Sequence, residues 1–214
     1  MDGALLPVAV TVAVAGGVHL GAYYAAALRL AGAAKALPIA VLLGWVLITP
    51  AVAEPYRWLV AAGLAWSMSG DLLLLSRARF RAGLTSFALA HVCYTVAFGA
   101  ASAVSPSPCV LALLAVAAGG LLGVLWPNLA RERLPVACYV VVIALMAWAA
   151  IGRAAAPATP HPSGALAAWG AVVFMASDAT LALDRFARSW RGAHAAVMVT
   201  YYTAQTLIAA SVAA

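Results

Sequence analysis

Charged side chains are scarce in this 214-residue chain: 12 Lys and Arg and 6 Asp and Glu, 8% of the total, against 66% apolar residues. That scarcity excludes a soluble globule, which carries about 25% charged residues and runs near 45–50% apolar. Cysteine is nearly as rare. Cys93, Cys109 and Cys138 show no CxxC and no paired spacing, which argues against a disulfide framework and a zinc knuckle. The four histidines form no HExxH or HxxxH pair, so no metal and no other cofactor is expected, and serine chemistry lacks its GxSxG elbow. The net charge of +6 calls for no nucleic acid, because basic residues in short loops are an ordinary device of membrane orientation.

What the chain does have is long apolar runs. A span needs about 20 such residues to cross about 30 Å of hydrocarbon. Eight stretches qualify: Leu5–Leu28, Ala36–Ala53, Trp58–Leu75, Gly83–Ala103, Cys109–Trp126, Leu134–Ile151, Gly164–Leu183 and Ala193–Ala213. Met1, Asp2 and Gly3 supply no basic n-region, so the first run reads as a retained span rather than a signal peptide. The expectation is an all-α, polytopic membrane bundle of eight transmembrane helices, forming one domain over 1–214. The breaks agree with this division, including the Ser105-Pro106-Ser107-Pro108 turn and the Pro-rich Arg153–Ser163 stretch. Ten basic residues fall in the odd-numbered loops, and only Arg57 and Arg153 fall in the even ones. By the positive-inside rule both termini lie outside and the odd loops face the cytoplasm, as in a bacterial inner membrane.

Asp71 precedes Tyr94 by 23 residues, and Asp178 precedes Tyr201 by the same interval. The spacing hints at two parallel four-helix halves with a site between them.

Two of the six acids, Asp71 and Asp178, sit inside expected spans, where a carboxylate costs roughly 2.5–3.5 kcal/mol on insertion scales. Asp71 lies six residues before Arg77 and Asp178 seven before Arg185. At 1.5 Å per residue both carboxyls sit roughly 9–10 Å from the cytoplasmic boundary. His91 and Tyr94 on the fourth span, with Tyr201, Tyr202 and Gln205 on the eighth, fall near the same level. His91 and Tyr94 are three apart and Tyr201 and Gln205 four apart, so each pair shares a helix face. The set describes a polar pocket toward the inner leaflet. The other reading of these side chains is hydrogen-bonded glue between helices. His19, Tyr23 and Tyr24 form a weaker set, and His161 and His194 are not strong candidates.

Three stretches resemble the YhhN family of membrane proteins, whose characterised members are lysoplasmalogenases. They are Lys35-Ala36-Leu37-Pro38; Ser69-Gly70-Asp71-Leu72-Leu73-Leu74 leading to Gly83-Leu84 and Ala90-His91-Val92-Cys93-Tyr94; and Ser177-Asp178-Ala179 leading to Arg185-Phe186 and Thr200-Tyr201-Tyr202-Thr203-Ala204-Gln205. Ser102–Gly164 carries no motif. The resemblance implies hydrolysis of the vinyl ether bond of a lysoplasmalogen, with a lysophospholipid as partner in the membrane. Such a reaction needs an acid to protonate the β-carbon and a base to activate water. Two carboxyls in a dry site share a proton, and the two-carboxylate logic of glycosidases passes through a similar oxocarbenium-like state. Asp178 is the expected acid and Asp71 the expected base, with His91 orienting water or a carboxylate. Tyr94, Tyr201, Tyr202 and Gln205 are expected to position the glycerol backbone, and Lys35, Arg77 and Arg185 to contact phosphate. A proton-coupled transporter using the same intramembrane aspartates is the alternative.

Overall fold

The computed structural model describes residues 5–100 and 107–213. Met1 to Gly3, the end of the fourth expected span to Ala103, and Ser105-Pro106 of the expected turn lie outside the described residues. The described chain is helical, in the order α1 (Leu5–Tyr24), α2 (Leu28–Lys35), α3 (Leu37–Ile48), α4 (Glu54–Leu73), α5 (Phe80–Ala100), α6 (Pro108–Leu125), α7 (Arg133–Ala155), α8 (His161–Phe186) and α9 (Ala193–Ala210). Single 3₁₀ turns cover Arg77–Arg79, Trp126–Asn128 and Ala130–Glu132.

Among the described residues six segments are long and apolar enough to cross a membrane: Leu5–Tyr24, Leu28–Ile48, Arg77–Ala100, Pro108–Asn128, Ala130–Ala155 and His161–Phe186. A soluble protein has no use for six such helices, and the chain is an integral membrane protein. α4 and α9 fall outside that set. In α9 Tyr201, Tyr202 and Gln205 dilute the hydropathy, and in α4 Arg57 does so together with Asp71.

Several expected boundaries move. The Arg29–Lys35 break is itself helical: α1 ends in a turn at Ala26, whose φ is 58°, and α2 follows at once. α2 ends at Lys35 because Pro38, at the start of α3, has no N–H for the carbonyl four residues back. The segment is therefore a broken helix, with its interruption beside Lys35. Arg57 belongs to α4 and Arg153 to α7 rather than to loops, and α8 starts at His161 with Pro162 in its first turn.

α4 with α5, and α8 with α9, form antiparallel hairpins, and α7 lies between α5 and α8. Glycine makes the hairpins tight. A Cβ at Gly70 would stand 2.6 Å from the Phe87 ring, one at Gly170 would stand 2.7 Å from Ile208, and Gly63 seats the Tyr94 ring. Ser86 Oγ donates to the Trp66 carbonyl (2.7 Å) and Ser177 Oγ to that of Val197 (3.0 Å), pinning each hairpin again. α6 packs mainly on α7, and Gly119, Gly120 and Gly123 on it face open space.

At the far end of α7 from the acids, Arg153 is buried with its guanidinium 4.0 Å from the centre of the Tyr56 ring. It donates to Ser163 Oγ (2.8 Å), which donates to the Ser211 carbonyl (2.6 Å), while Tyr56 and Ser211 hydroxyls bond at 2.6 Å. This ties α4, α7, α8 and the end of α9 into one knot.

A candidate active site between two hairpins

Asp71, near the end of α4, is buried, and both its carboxyl oxygens are engaged. Tyr201 on α9 donates its hydroxyl to Oδ2 at 2.8 Å, and Lys35 Nζ lies 3.3 Å from Oδ1. Every close partner is a donor, so the carboxyl is held as an acceptor on both sides. Lys35 reaches it because α2 stops there. Its own carbonyl, left free at the helix end, accepts the Tyr202 hydroxyl at 2.9 Å.

Asp178 on α8 has different company. Tyr139 on α7 donates to Oδ2 at 2.5 Å, and His91 Nε2 stands 3.6 Å from the same oxygen. His91 Nδ1 lies 2.5 Å from the Phe87 carbonyl, which can only accept, so Nδ1 carries a hydrogen and Nε2 is the nitrogen turned to the acid. That Nε2 is buried and makes no hydrogen bond of its own. At 3.6 Å the two are in electrostatic contact without a hydrogen bond. Rings fix the imidazole: Phe174 at 4.6 Å and Tyr139 at 5.3 Å between centroids, both near edge-to-face.

Both acids line one cavity of about 470 Å³. Lys35, Tyr201, Tyr139, Arg185, Asp184 and His194 are its other polar members, and the remainder is Leu, Val, Ala, Ile, Met, Phe and Ser from α4 to α9. Arg185 stands at the rim with its guanidinium 3.7 Å from the Phe80 ring centre.

Of the residues singled out in the sequence, Asp71, Asp178, Tyr201, Lys35 and Arg185 line the cavity and His91 touches it through Asp178. Tyr94 and Gln205 do not line it. They are fully buried and bonded to each other, Tyr94 hydroxyl to Gln205 Oε1 at 2.7 Å, joining α5 to α9. Tyr202 supports the Lys35 backbone, and Arg77 is exposed outside the cavity. The hairpins are also unlike in their bonds: Asp71 takes its phenol from Tyr201, Asp178 from Tyr139 rather than from Tyr94. Tyr139 carries no signal of its own in the sequence, and His194, not a strong candidate there, lines the chamber. Tyr139 falls in the stretch without a motif, yet it sits six residues past Arg133, the same depth as the acids. Among the described residues no group of three or more His, Cys, Asp or Glu side chains is placed to hold a metal ion.

Fold and cavity together define an integral membrane helical bundle with paired carboxyls facing an apolar chamber. The chain belongs to the YhhN family, whose model matches residues 30–212. The human protein Lysoplasmalogenase TMEM86B is 35% identical over 179 residues, which cover 83% of this chain and 73% of that one. The human Lysoplasmalogenase TMEM86A is 34% identical over 165 residues, covering 75% and 67%. A Lysoplasmalogenase of Mycobacterium tuberculosis is 32% identical over 179 residues, covering 80% and 66%. No solved structure matches the chain significantly.

Proposed function

We propose that the chain is a lysoplasmalogenase. It hydrolyses the vinyl ether bond of a lysoplasmalogen within the membrane, releasing a fatty aldehyde and a glycerophospho-alcohol such as glycerophosphocholine or glycerophosphoethanolamine. The observation that carries this reading is the difference between two carboxyls on one apolar chamber: Asp71 accepts on both oxygens, from Tyr201 and beside Lys35, whereas Asp178 accepts from Tyr139 and has only the unbonded His91 Nε2 nearby. The names of the relatives support it.

Asp178 is the acid. Its proton goes to the β-carbon of the vinyl ether, leaving an oxocarbenium ion that the Asp71 carboxylate stabilises, as in the two-carboxylate reactions of glycosides. Water adds to that ion and gives its proton to Asp71. The hemiacetal then loses its hydroxyl proton to Asp178 while the departing glycerol oxygen takes one from Asp71. Both acids end as they began. His91 and Tyr139 hold Asp178, Lys35 and Tyr201 hold Asp71, and the aliphatic walls take the single tail. Arg185, at the rim, is the phosphate contact.

The chain is one transmembrane domain of eight spans, α2 and α3 counting as one, with basic loops inside and both termini outside. It resides in the cell membrane. A proton-coupled transporter would need its acids reachable from both faces. The buried Arg153, Ser163, Ser211 and Tyr56 knot binds four helices together at the end opposite the acids, which supports the enzyme reading.

The test is incubation of purified protein with a lysoplasmalogen and with its saturated alkyl-ether analogue. Aldehyde is expected from the first alone, and in heavy water it carries one deuterium on the carbon beside the carbonyl. Asp71→Asn and Asp178→Asn should each abolish turnover while keeping the detergent-solubilised fold. Aldehyde from both lipids, or activity in either variant, overturns the assignment.

A further inference from the structure

A second, more open cavity of about 420 Å³ adjoins the reaction chamber and shares Asp184 and His194 with it. Its other walls include Tyr23 and Tyr24 from the end of α1 and Trp190 and Arg191 from the α8–α9 loop. The walls are organised. Tyr23 stacks on His194 with centroids 3.7 Å apart and planes at 21°, and Tyr24 meets Tyr23 edge-on at 5.3 Å. The Tyr24 hydroxyl donates to the Arg191 carbonyl at 3.3 Å, which fastens α1 to the loop. The Trp190 backbone N–H points at Asp184 Oδ1 at 3.4 Å, which fastens the loop to α8.

His194 is held from behind. The buried His19 lies 2.8 Å from the Ala31 carbonyl through Nδ1, which must therefore carry a hydrogen, and its Nε2 lies 3.1 Å from His194 Nε2. One imidazole donates and the other accepts, so the wall common to the two cavities has a fixed orientation.

Bands of tyrosine and tryptophan at membrane interfaces ordinarily lie flat against lipid headgroups all round a protein. Here three aromatic residues gather in one concavity with a carboxylate, and the wall behind them belongs to the reaction chamber. An aromatic concavity with one carboxylate suits a cation with an apolar surface, as aromatic cages suit quaternary ammonium groups. Arg185 lines the chamber and Arg191 this cavity, and either guanidinium suits the phosphate between them.

We propose that this cavity is a headgroup subsite for phosphate esters of cationic amino alcohols, with a trimethylammonium group favoured, the tail and reacting bond lying next door. The proposal rests on the reading of the larger chamber as the site of a single-tailed lipid. It assigns Tyr23, Tyr24, Trp190 and Asp184 to headgroup selection.

The experiment is equilibrium binding of a radiolabelled saturated alkyl-ether lysophosphocholine to the purified full chain in lipid nanodiscs. The comparison ligand has the same tail and phosphate, with the neutral tert-butyl isostere of choline. The wild-type chain is expected to bind the choline ligand about tenfold more tightly, the size of a well-placed cation–π contact. Trp190→Ala, Tyr24→Ala and Asp184→Asn should each bring the two affinities together, and Trp190→Phe should keep them apart. Equal wild-type affinities, or a preference that survives both aromatic truncations, overturns the subsite. A headgroup preference that responds to these variants in a protein releasing no aldehyde leaves the subsite standing and removes the proposed reaction. Aldehyde release with no headgroup preference does the reverse.

Discussion

At the scale of single residues, the cavity separates two acids by what surrounds them. Tyr139 makes the distinction testable, since its hydroxyl bonds to Asp178, the proposed acid, and not to Asp71. Tyr139→Phe keeps the ring against His91 and removes the donor to Asp178. The expected result is a fall in kcat of about tenfold to a hundredfold with KM nearly unchanged, because the lost bond serves proton delivery rather than lipid binding. Steady-state kinetics on a lysoplasmalogen in mixed micelles checks it. Asp71, Asp178 and His91 were legible because ionisable groups inside an apolar span are costly and therefore stand out. Tyr139 was not, since a phenol among valines carries no such cost. Tyr94 and Gln205 show a further gap: counting residues from a boundary fixes depth but not the rotation of a helix, and these two face each other instead of the chamber.

At the scale of elements, six apolar helices among the described residues follow from length and apolarity, and that much was readable. The broken helix was less so. Lys35-Ala36-Leu37-Pro38 reads as the edge of a loop, but the backbone stays helical on both sides, and the interruption brings the Lys35 amine to the chamber and its carbonyl to the Tyr202 hydroxyl. Helix contacts depend instead on glycines that local propensity alone would disfavour. Gly63 lies against Tyr94, whereas Gly119 on α6 faces open space. Gly63→Ala is therefore expected to lower stability in detergent by about 1–3 kcal/mol, the ordinary cost of overpacking. Gly119→Ala should be neutral or slightly stabilising through helix propensity. Thermal melts of the two purified variants, followed by circular dichroism, compare them directly.

At the scale of the whole molecule, charge and cavity share one end of the bundle. The proposed orientation puts the α8–α9 loop in the cytoplasm and the α7–α8 loop outside. In a background with Cys93, Cys109 and Cys138 replaced, Ala158→Cys should react with a membrane-impermeant maleimide in intact cells. Ser189→Cys should react only after the cells are opened. The opposite pattern inverts the topology, and labelling of both in intact cells breaks the count of spans. The proposed orientation rests on the ten-to-two division of basic residues in the sequence, several of which, Arg29, Lys35, Arg57 and Arg153 among them, lie in helices rather than loops. The knot at the opposite end could not be read that way: Arg153 looks like a loop cation until its burial against Tyr56 is seen.

The chamber of about 470 Å³ has consequences at the bench as well as in the cell. On the proposed function the chamber and the cavity beside it together take one tail and one polar head, which is also the outline of a common solubilising surfactant. An alkylphosphocholine used to extract the protein would settle where the lipid belongs and mask both activity and affinity. A maltoside, with a bulky uncharged sugar head, would have nothing to offer the aromatic wall and would wash out. The choice of extractant thus decides whether the purified protein is studied empty or already plugged.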